Sequence, residues 1–152
     1  MRIAVGSDHA GYALKERVKA ELTRLGHEVE DVGTSSAEVS VDYPDFSIAV
    51  GERVASGEAE RGVVVCATGI GASIAANKVE GVRASVVTSD ETARLTRADN
   101  DSNVLALGAK TAPSFEAALG WLQVWLDTAF AGGRHERRVN KIKDYEHKHS
   151  RT

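Results

Sequence analysis

Apolar positions along the chain follow two alternating patterns. Short runs built on branched residues, Ile3-Ala4-Val5, Val29–Val32, Val63-Val64-Val65, Ala84–Val87 and Asn103–Leu107, predict five strands. Between them, apolar residues recur at helical spacing. Leu14, Val18, Leu22 and Leu25 predict one helix, with Gly26 placed to end it. Pro44 opens a second through Ile48, Val50 and Val54 that ends by Gly57, and a third begins near Gly69. Thr88 with Glu91 reads as a capping box for a fourth. Phe115, Leu119, Leu122, Leu126 and Ala129 mark a long fifth helix, and a more polar one runs from about Arg134.

The unbroken Val63–Val65 run is what a central parallel strand needs when both of its faces are covered. Strands alternating with helices predict an α/β fold, a parallel sheet with helices on both faces. At 152 residues, with no linker, repeat or low-complexity stretch, the chain reads as a single domain over 1–152. Ligands of such sheets sit beyond the carboxyl ends of the strands, which directs attention to three turns: Gly6–Gly11, Cys66–Ser73 and Thr88–Glu91. Trp121 and Trp125, one helical turn apart, suit a core or an interface equally well.

Charge adds an asymmetry. The net charge is −3, so the chain as a whole is no nucleic-acid binder. Residues 134–152 carry seven Lys/Arg against three acids, a balance of +4, which leaves −7 for the first 133. A basic segment on an acidic body fits an anion-binding element, an element that docks on a partner subunit, or a solvated tail. Cys66 is the single cysteine, so no internal disulfide forms and a reducing, cytoplasmic setting is expected. Charged residues interrupt any signal-like start, and no apolar run is long enough for a membrane span.

The glycine turns match the familiar nucleotide motifs only in part, which leaves a dinucleotide-binding module as a minor alternative. Gly69-Ile70-Gly71 follows a strand and Asp90 lies one unit later, but Ile74 stands where a dinucleotide fingerprint needs its third glycine. Gly6–Gly11 is no phosphate loop, since Tyr12 replaces the required lysine. Two readings of Thr68–Ser73 remain: an anion-binding nest of backbone amides, or a tight turn that uses glycine only for its angles.

Cys66 favours the nest. At the carboxyl end of the central strand and just before a helix, its thiol is expected to tend toward thiolate. A base beside an oxyanion hole is the equipment for removing a proton next to a carbonyl. Asp8-His9 forms a second cluster, at the end of the first strand. Arg134 and Arg138, at i and i+4, suit a phosphate clamp or a solvated basic face. His27 reads as a loop residue, and His147 and His149 as tail residues. No cluster has metal-ligand spacing, so no metal is expected.

These segments together resemble the ribose-5-phosphate isomerase B / galactose-6-phosphate isomerase family of sugar-phosphate isomerases. The matching text is Val5-Gly6-Ser7-Asp8-His9-Ala10-Gly11, Asp42-Tyr43-Pro44 and Cys66-Ala67-Thr68-Gly69-Ile70-Gly71. It continues through Ser73-Ile74-Ala75-Ala76-Asn77-Lys78, Asn100-Asp101-Ser102-Asn103-Val104 and Gly132-Gly133-Arg134-His135 with Arg138. The resemblance implies a Rossmann-like three-layer α/β/α sandwich with a five-stranded parallel sheet and no nucleotide or other cofactor. It also implies a homodimer or a tetramer of dimers, each active site being shared and the C-terminal helix reaching toward the neighbour.

By position, the resemblance makes Cys66 the base that moves a proton between C1 and C2 of a small phosphorylated sugar. Thr68 assists at the sugar oxygens, and the amides of Ala67, Thr68, Gly69, Ile70, Gly71 and Ala72 hold the enediolate. Asp8 is catalytic with Cys66 and Thr68, contacting the sugar ring and helping to open it; His9, Arg134 and Arg138 bind phosphate; Tyr43 and Asn100 line the pocket. The implied reaction is aldose–ketose isomerisation, ribose 5-phosphate to ribulose 5-phosphate, a step of the pentose phosphate pathway.

Three positions depart from the family pattern. Asp99 stands where many members have a histidine that helps open the furanose ring, and a carboxylate neither donates that proton nor welcomes a phosphate. Ala67 replaces a glycine, and Lys110 replaces a phosphate-side arginine, a point charge for a fork. Asp99 therefore raises the expectation of a substrate with little ring to open, such as erythrose or erythrulose 4-phosphate. The same residues also suit allose 6-phosphate or galactose 6-phosphate or, without catalysis, a silent binder of sugar phosphates.

Overall fold

The computed structural model describes residues 1–150, so Arg151 of the basic segment lies outside the described residues. Five parallel strands, β1 (Arg2–Ser7), β2 (Glu28–Asp31), β3 (Arg61–Cys66), β4 (Ala84–Val86) and β5 (Val104–Gly108), form one sheet in the order β2-β1-β3-β5-β4. The Val63–Val65 run does lie on the central strand, with Val63 beside Val5 on one side and Leu105 on the other.

Six helices connect and extend the sheet: α1 (Tyr12–Arg24), α2 (Tyr43–Ser56), α3 (Ile70–Ala76), α4 (Asp90–Asn100), α5 (Phe115–Asp127) and α6 (Arg134–Lys148). Side chains alternate across each strand, so the sheet builds two cores. Val63, Val65, Leu105 and Leu107 pack with Leu14, Val18 and Leu22 of α1, Ala93 of α4 and Leu122 of α5. On the opposite face Val64, Cys66 and Ala106 pack with Val50 of α2 and with Ala72 and Ala76 of α3. The result is the expected three-layer α/β/α sandwich.

Trp121 and Trp125 belong to the core, at 8% and 0% exposure, and the Trp125 indole donates to Ser102 Oγ at 3.0 Å. Two expected details shift. The capping box of α4 is Ser89 with Thr92, not Thr88 with Glu91, because the Thr92 hydroxyl accepts the Ser89 amide that a glutamate would otherwise take. Helix α5 stops at Asp127, short of Ala129: Arg97 Nε donates to the Thr128 carbonyl at 3.1 Å and draws the chain off the helix.

The chain passes from β1 toward β2 in one direction and from β3 toward β4 in the other. The switch point therefore falls between β1 and β3, where a doubly wound sheet opens a crevice at its carboxyl edge.

Candidate active site

The turns after β1 and β3 flank that crevice. Asp8 is buried, and its Oδ1 accepts the Gly11 amide at 2.9 Å, an Asx-type turn that starts α1. His9 Nδ1 accepts the Val41 amide at 3.2 Å, which anchors the loop leading to Tyr43 and leaves Nε2 without a partner among the described residues.

Cys66 ends β3 with its thiol on the α2/α3 face, 4% exposed. Its Sγ accepts the Gly69 amide at 3.2 Å, a contact worth most when the sulfur is anionic. Thr68 Oγ1 accepts the Ile70 amide, also at 3.2 Å. Two of the amides expected to face a substrate thus already have side-chain partners. Gly71 and Ala72 lie in the first turn of α3, where amides lack intrahelical acceptors, so their N–H groups remain open.

Two glycines make this cradle possible. Gly69 sits at φ 78°, and a Cβ there would lie 2.9 Å from Val86 Cγ2 and 3.0 Å from the Leu107 carbonyl carbon. At Gly71 a Cβ would meet the Tyr43 ring at 2.6–2.8 Å, so the ring lies directly on the backbone of α3. Lys110 joins the same group: its amide donates to the Ala67 carbonyl at 2.8 Å, and the residue itself is exposed.

A buried strap supports this edge. The Lys15 side chain is fully buried, and its Nζ donates to both Asp31 oxygens at 2.7 and 2.8 Å and to the Thr34 carbonyl at 2.7 Å. Thr34 and Gly33 exchange backbone hydrogen bonds with Ser7, the residue before Asp8. Burial works to raise the Asp31 carboxyl, but hydrogen bonds from Lys15, Lys19 and the Gly33 amide outweigh it and hold the group below the usual carboxylate range. The sequence pattern does not reveal Lys15 as a structural residue; its one signal is a lysine directly beside the apolar stripe of α1.

The remaining candidates lie elsewhere. Helix α4 runs back along the sheet, and its end is fixed at the amino edge. Arg83 Nε donates to the Asn100 carbonyl at 3.0 Å, and Asn103 bonds with Arg83 and Gly62, just before β4 and at the start of β3. The Ala131 amide donates to the Ala98 carbonyl, which brings the start of α6 to this same end, and His135 Nε2 lies 3.4 Å from Asp99 Oδ1. Arg134 and Arg138 share the exposed face of α6. At this edge a cavity of about 400 Å³ is lined by Asn100, Arg83, Ser102, Ile142 and Glu146 among others.

One copy therefore carries the candidate residues in two separate groups. Asp8, His9, Tyr43, Cys66, Ala67, Thr68, Gly69, Ile70, Gly71, Ala72 and Lys110 gather at the carboxyl edge. Asp99, Asn100, Arg134 and Arg138 gather at the amino edge. The six residues of β3 separate the two by roughly 17 Å at the usual rise per residue, too far for one small sugar phosphate to touch both within a single copy. His135 joins the second group, although its place in the Gly132–His135 segment assigns it no role from sequence alone. Among the described residues no three His, Cys, Asp or Glu side chains cluster as metal ligands, and no helix is long and apolar enough to cross a membrane.

Known proteins resemble this chain over nearly its whole length. The family model described as Ribose/Galactose Isomerase matches residues 3–142. Ribose-5-phosphate isomerase B of Escherichia coli is 44% identical over 141 residues, 93% of each chain. The solved structure of ribose-5-phosphate isomerase B from Clostridium thermocellum superposes with a TM-score of 0.95 at 51% identity, covering 99% of this chain and 100% of that one. That of the Mycoplasma genitalium enzyme with bound ribulose 5-phosphate superposes with a TM-score of 0.92 at 36% identity, covering 98% and 97%.

Proposed function

The chain belongs to the ribose/galactose isomerase family, and from that premise we propose that it interconverts ribose 5-phosphate and ribulose 5-phosphate by moving a proton between C2 and C1. One observation carries the mechanism: the Cys66 sulfur sits at the crevice with an amide donor on it and open Gly71 and Ala72 amides beside it. Cys66, as thiolate, takes the C2 proton of the open-chain aldose. The electron pair moves onto the C1 carbonyl oxygen to give an enediolate. The open amides and the Thr68 hydroxyl hold the oxygens, the O2 hydroxyl proton passes to O1, and Cys66 returns its proton to C1 as the C2=O carbonyl forms. Asp8 presents a carboxylate to the sugar hydroxyls, and Tyr43 closes the side of the cradle.

Phosphate recognition uses Arg134 and Arg138, whose i, i+4 spacing suits a clamp, together with His9 and Lys110. Since the half-sites lie at opposite ends of one copy, we assign Asp99, Asn100, Arg134 and Arg138 to the site of a second copy. This requires a homodimer in which each crevice is completed by the partner's α4–α6 corner, alone or as half of a tetramer. The exposed apolar side chains of Ile70 and Ile74 on α3, and of Ile142 and Tyr145 on α6, support such a pairing. The lone reduced cysteine fits work in the cytoplasm.

The test is proton NMR in D₂O with a panel of ribose 5-phosphate, allose 6-phosphate, galactose 6-phosphate and erythrulose 4-phosphate. Conversion of ribose 5-phosphate with deuterium entering at C1 or C2 is the expected result. Turnover confined to the four-carbon sugar would keep the chemistry and change the substrate. Binding without exchange for any of them would make the chain a sugar-phosphate binder.

A further inference from the structure

We propose that His135, held by Asp99, is the acid–base group that opens the sugar ring in this protein, a step that rests on the isomerase reading above. The chain has five histidines, and their surroundings separate them. His27 lies by the N-terminal amine, His147 is 91% exposed beside Glu80, and His149 stacks on Tyr145. His9 has its Nδ1 committed to the Val41 loop. Only His135 combines a largely covered side chain, 15% exposed, with a carboxylate partner and a place among the phosphate-binding candidates. It stands between Arg134 and Arg138 on the first turns of α6, and its partner Asp99 adjoins Asn100.

The Asp99 contact distinguishes the two nitrogens. Nε2 lies 3.4 Å from Asp99 Oδ1, close enough for the carboxylate to pair with a protonated imidazole. With Asp99 beside Nε2, Nδ1 is assigned as the working atom, and among the described residues it has no hydrogen-bond partner. An aspartate behind an imidazole selects the tautomer and steadies the imidazolium, so Asp99 is a positioning residue and needs no proton of its own. The carboxylate at position 99 thus acts one side chain away from the sugar.

Ring opening then balances as a shuttle. Imidazolium Nδ1–H gives its proton to the ring oxygen O4 as the C1–O4 bond breaks, with the bonding pair going to O4. The C1 hydroxyl proton passes to the vacated Nδ1, C1=O forms, and the imidazolium is restored. The open aldehyde is then ready for Cys66.

Ribose 5-phosphate carries a furanose ring that must open. Ribulose 5-phosphate has its 5-oxygen esterified and has no such ring. Two rates therefore isolate the step: isomerisation of ribose 5-phosphate, and C1 deuterium exchange into ribulose 5-phosphate. For His135→Asn we expect the first to fall about 100-fold, in the range of a lost general acid, and the second by no more than about threefold. Asp99→Asn should show the same split at about tenfold, and it carries the test if His135→Asn loses its melting transition. Equal losses in both rates would make His135 a phosphate or packing residue and overturn the proposal, as would no loss in either. A wild-type protein inert toward both sugars would bring down the isomerase reading itself, and this proposal with it.

Discussion

At the carboxyl edge of the sheet, Cys66 is 4% exposed and its neighbours are mainly backbone: the Gly69 amide on its sulfur and the open amides of Gly71 and Ala72. At the amino edge, the candidate groups are long, exposed side chains, Arg134 and Arg138, standing on a helix with one buried residue, Val139. The first half-site is held by strand ladders, two tightly packed glycines and a buried lysine. The second is held by the α4–α6 contact. Proton transfer needs atoms fixed to a fraction of an ångström, whereas phosphate binding needs charge within reach. On the proposed assignment, each chemistry lies where the fold supplies the matching rigidity.

Experiments that disturb one half and spare the other sharpen this contrast. The largest effect is expected from Cys66→Ala. Turnover of ribose 5-phosphate should fall about 10³-fold while the melting temperature moves by only a few degrees, because a small buried side chain is replaced by a slightly smaller one. Calorimetry beside the kinetic assay checks both parts.

Asp31→Asn attacks the strap. Removing the carboxylate leaves Lys15 charged, buried and poorly paired, at a cost of about 3 kcal/mol in chemical denaturation. The same pair gives stability a pH dependence. The folded Asp31 lies below its unfolded value, so its contribution is complete above that value, about 3.9, and is lost as pH falls through the folded one. Melting curves recorded below about pH 4 should converge for wild type and variant.

Gly71→Ala comes next. Its Cβ would push the Tyr43 ring off α3, and a displacement of that size is expected to lower kcat/KM about 100-fold with the fold retained. Tyr43→Ala in the same chain should restore part of the loss, since the clash disappears with the ring. The mildest effect belongs to the amino edge. Arg138→Ala should raise KM about tenfold with kcat nearly unchanged, and KM of the unaltered protein should rise with added salt because these charges are exposed.

The same contrast explains what is legible in the sequence. The carboxyl-edge half-site is local: Cys66 through Ala72 is one continuous turn, so strand, glycines and thiol can be read together. The amino-edge half-site joins α4 to α6, and no spacing rule places His135 on Asp99. The buried Lys15 escapes for a related reason, since its partners Asp31 and Thr34 come from the next strand and loop. Trp121 and Trp125 stay undecided in sequence because helical spacing gives the side of a helix but not what covers it; α1 and the sheet do. The capping box reads one residue early because a threonine, Thr92, does the work usually given to Glu or Gln. The parallel sheet, by contrast, follows from alternation and from one uninterrupted valine run.

Mixing two variants, each impaired when assayed at substrate well below KM, tests most directly that one site is built from two copies. Cys66→Ala lacks the base but keeps the amino-edge charges; the double variant Arg134→Ala, Arg138→Ala lacks the clamp but keeps the base. Unfolded together and refolded, the mixture should regain about a quarter of wild-type activity, because half of a random set of dimers carries one intact site of two. Activity no greater than that of the separately refolded variants would contradict the account, and would place base and clamp within a single chain.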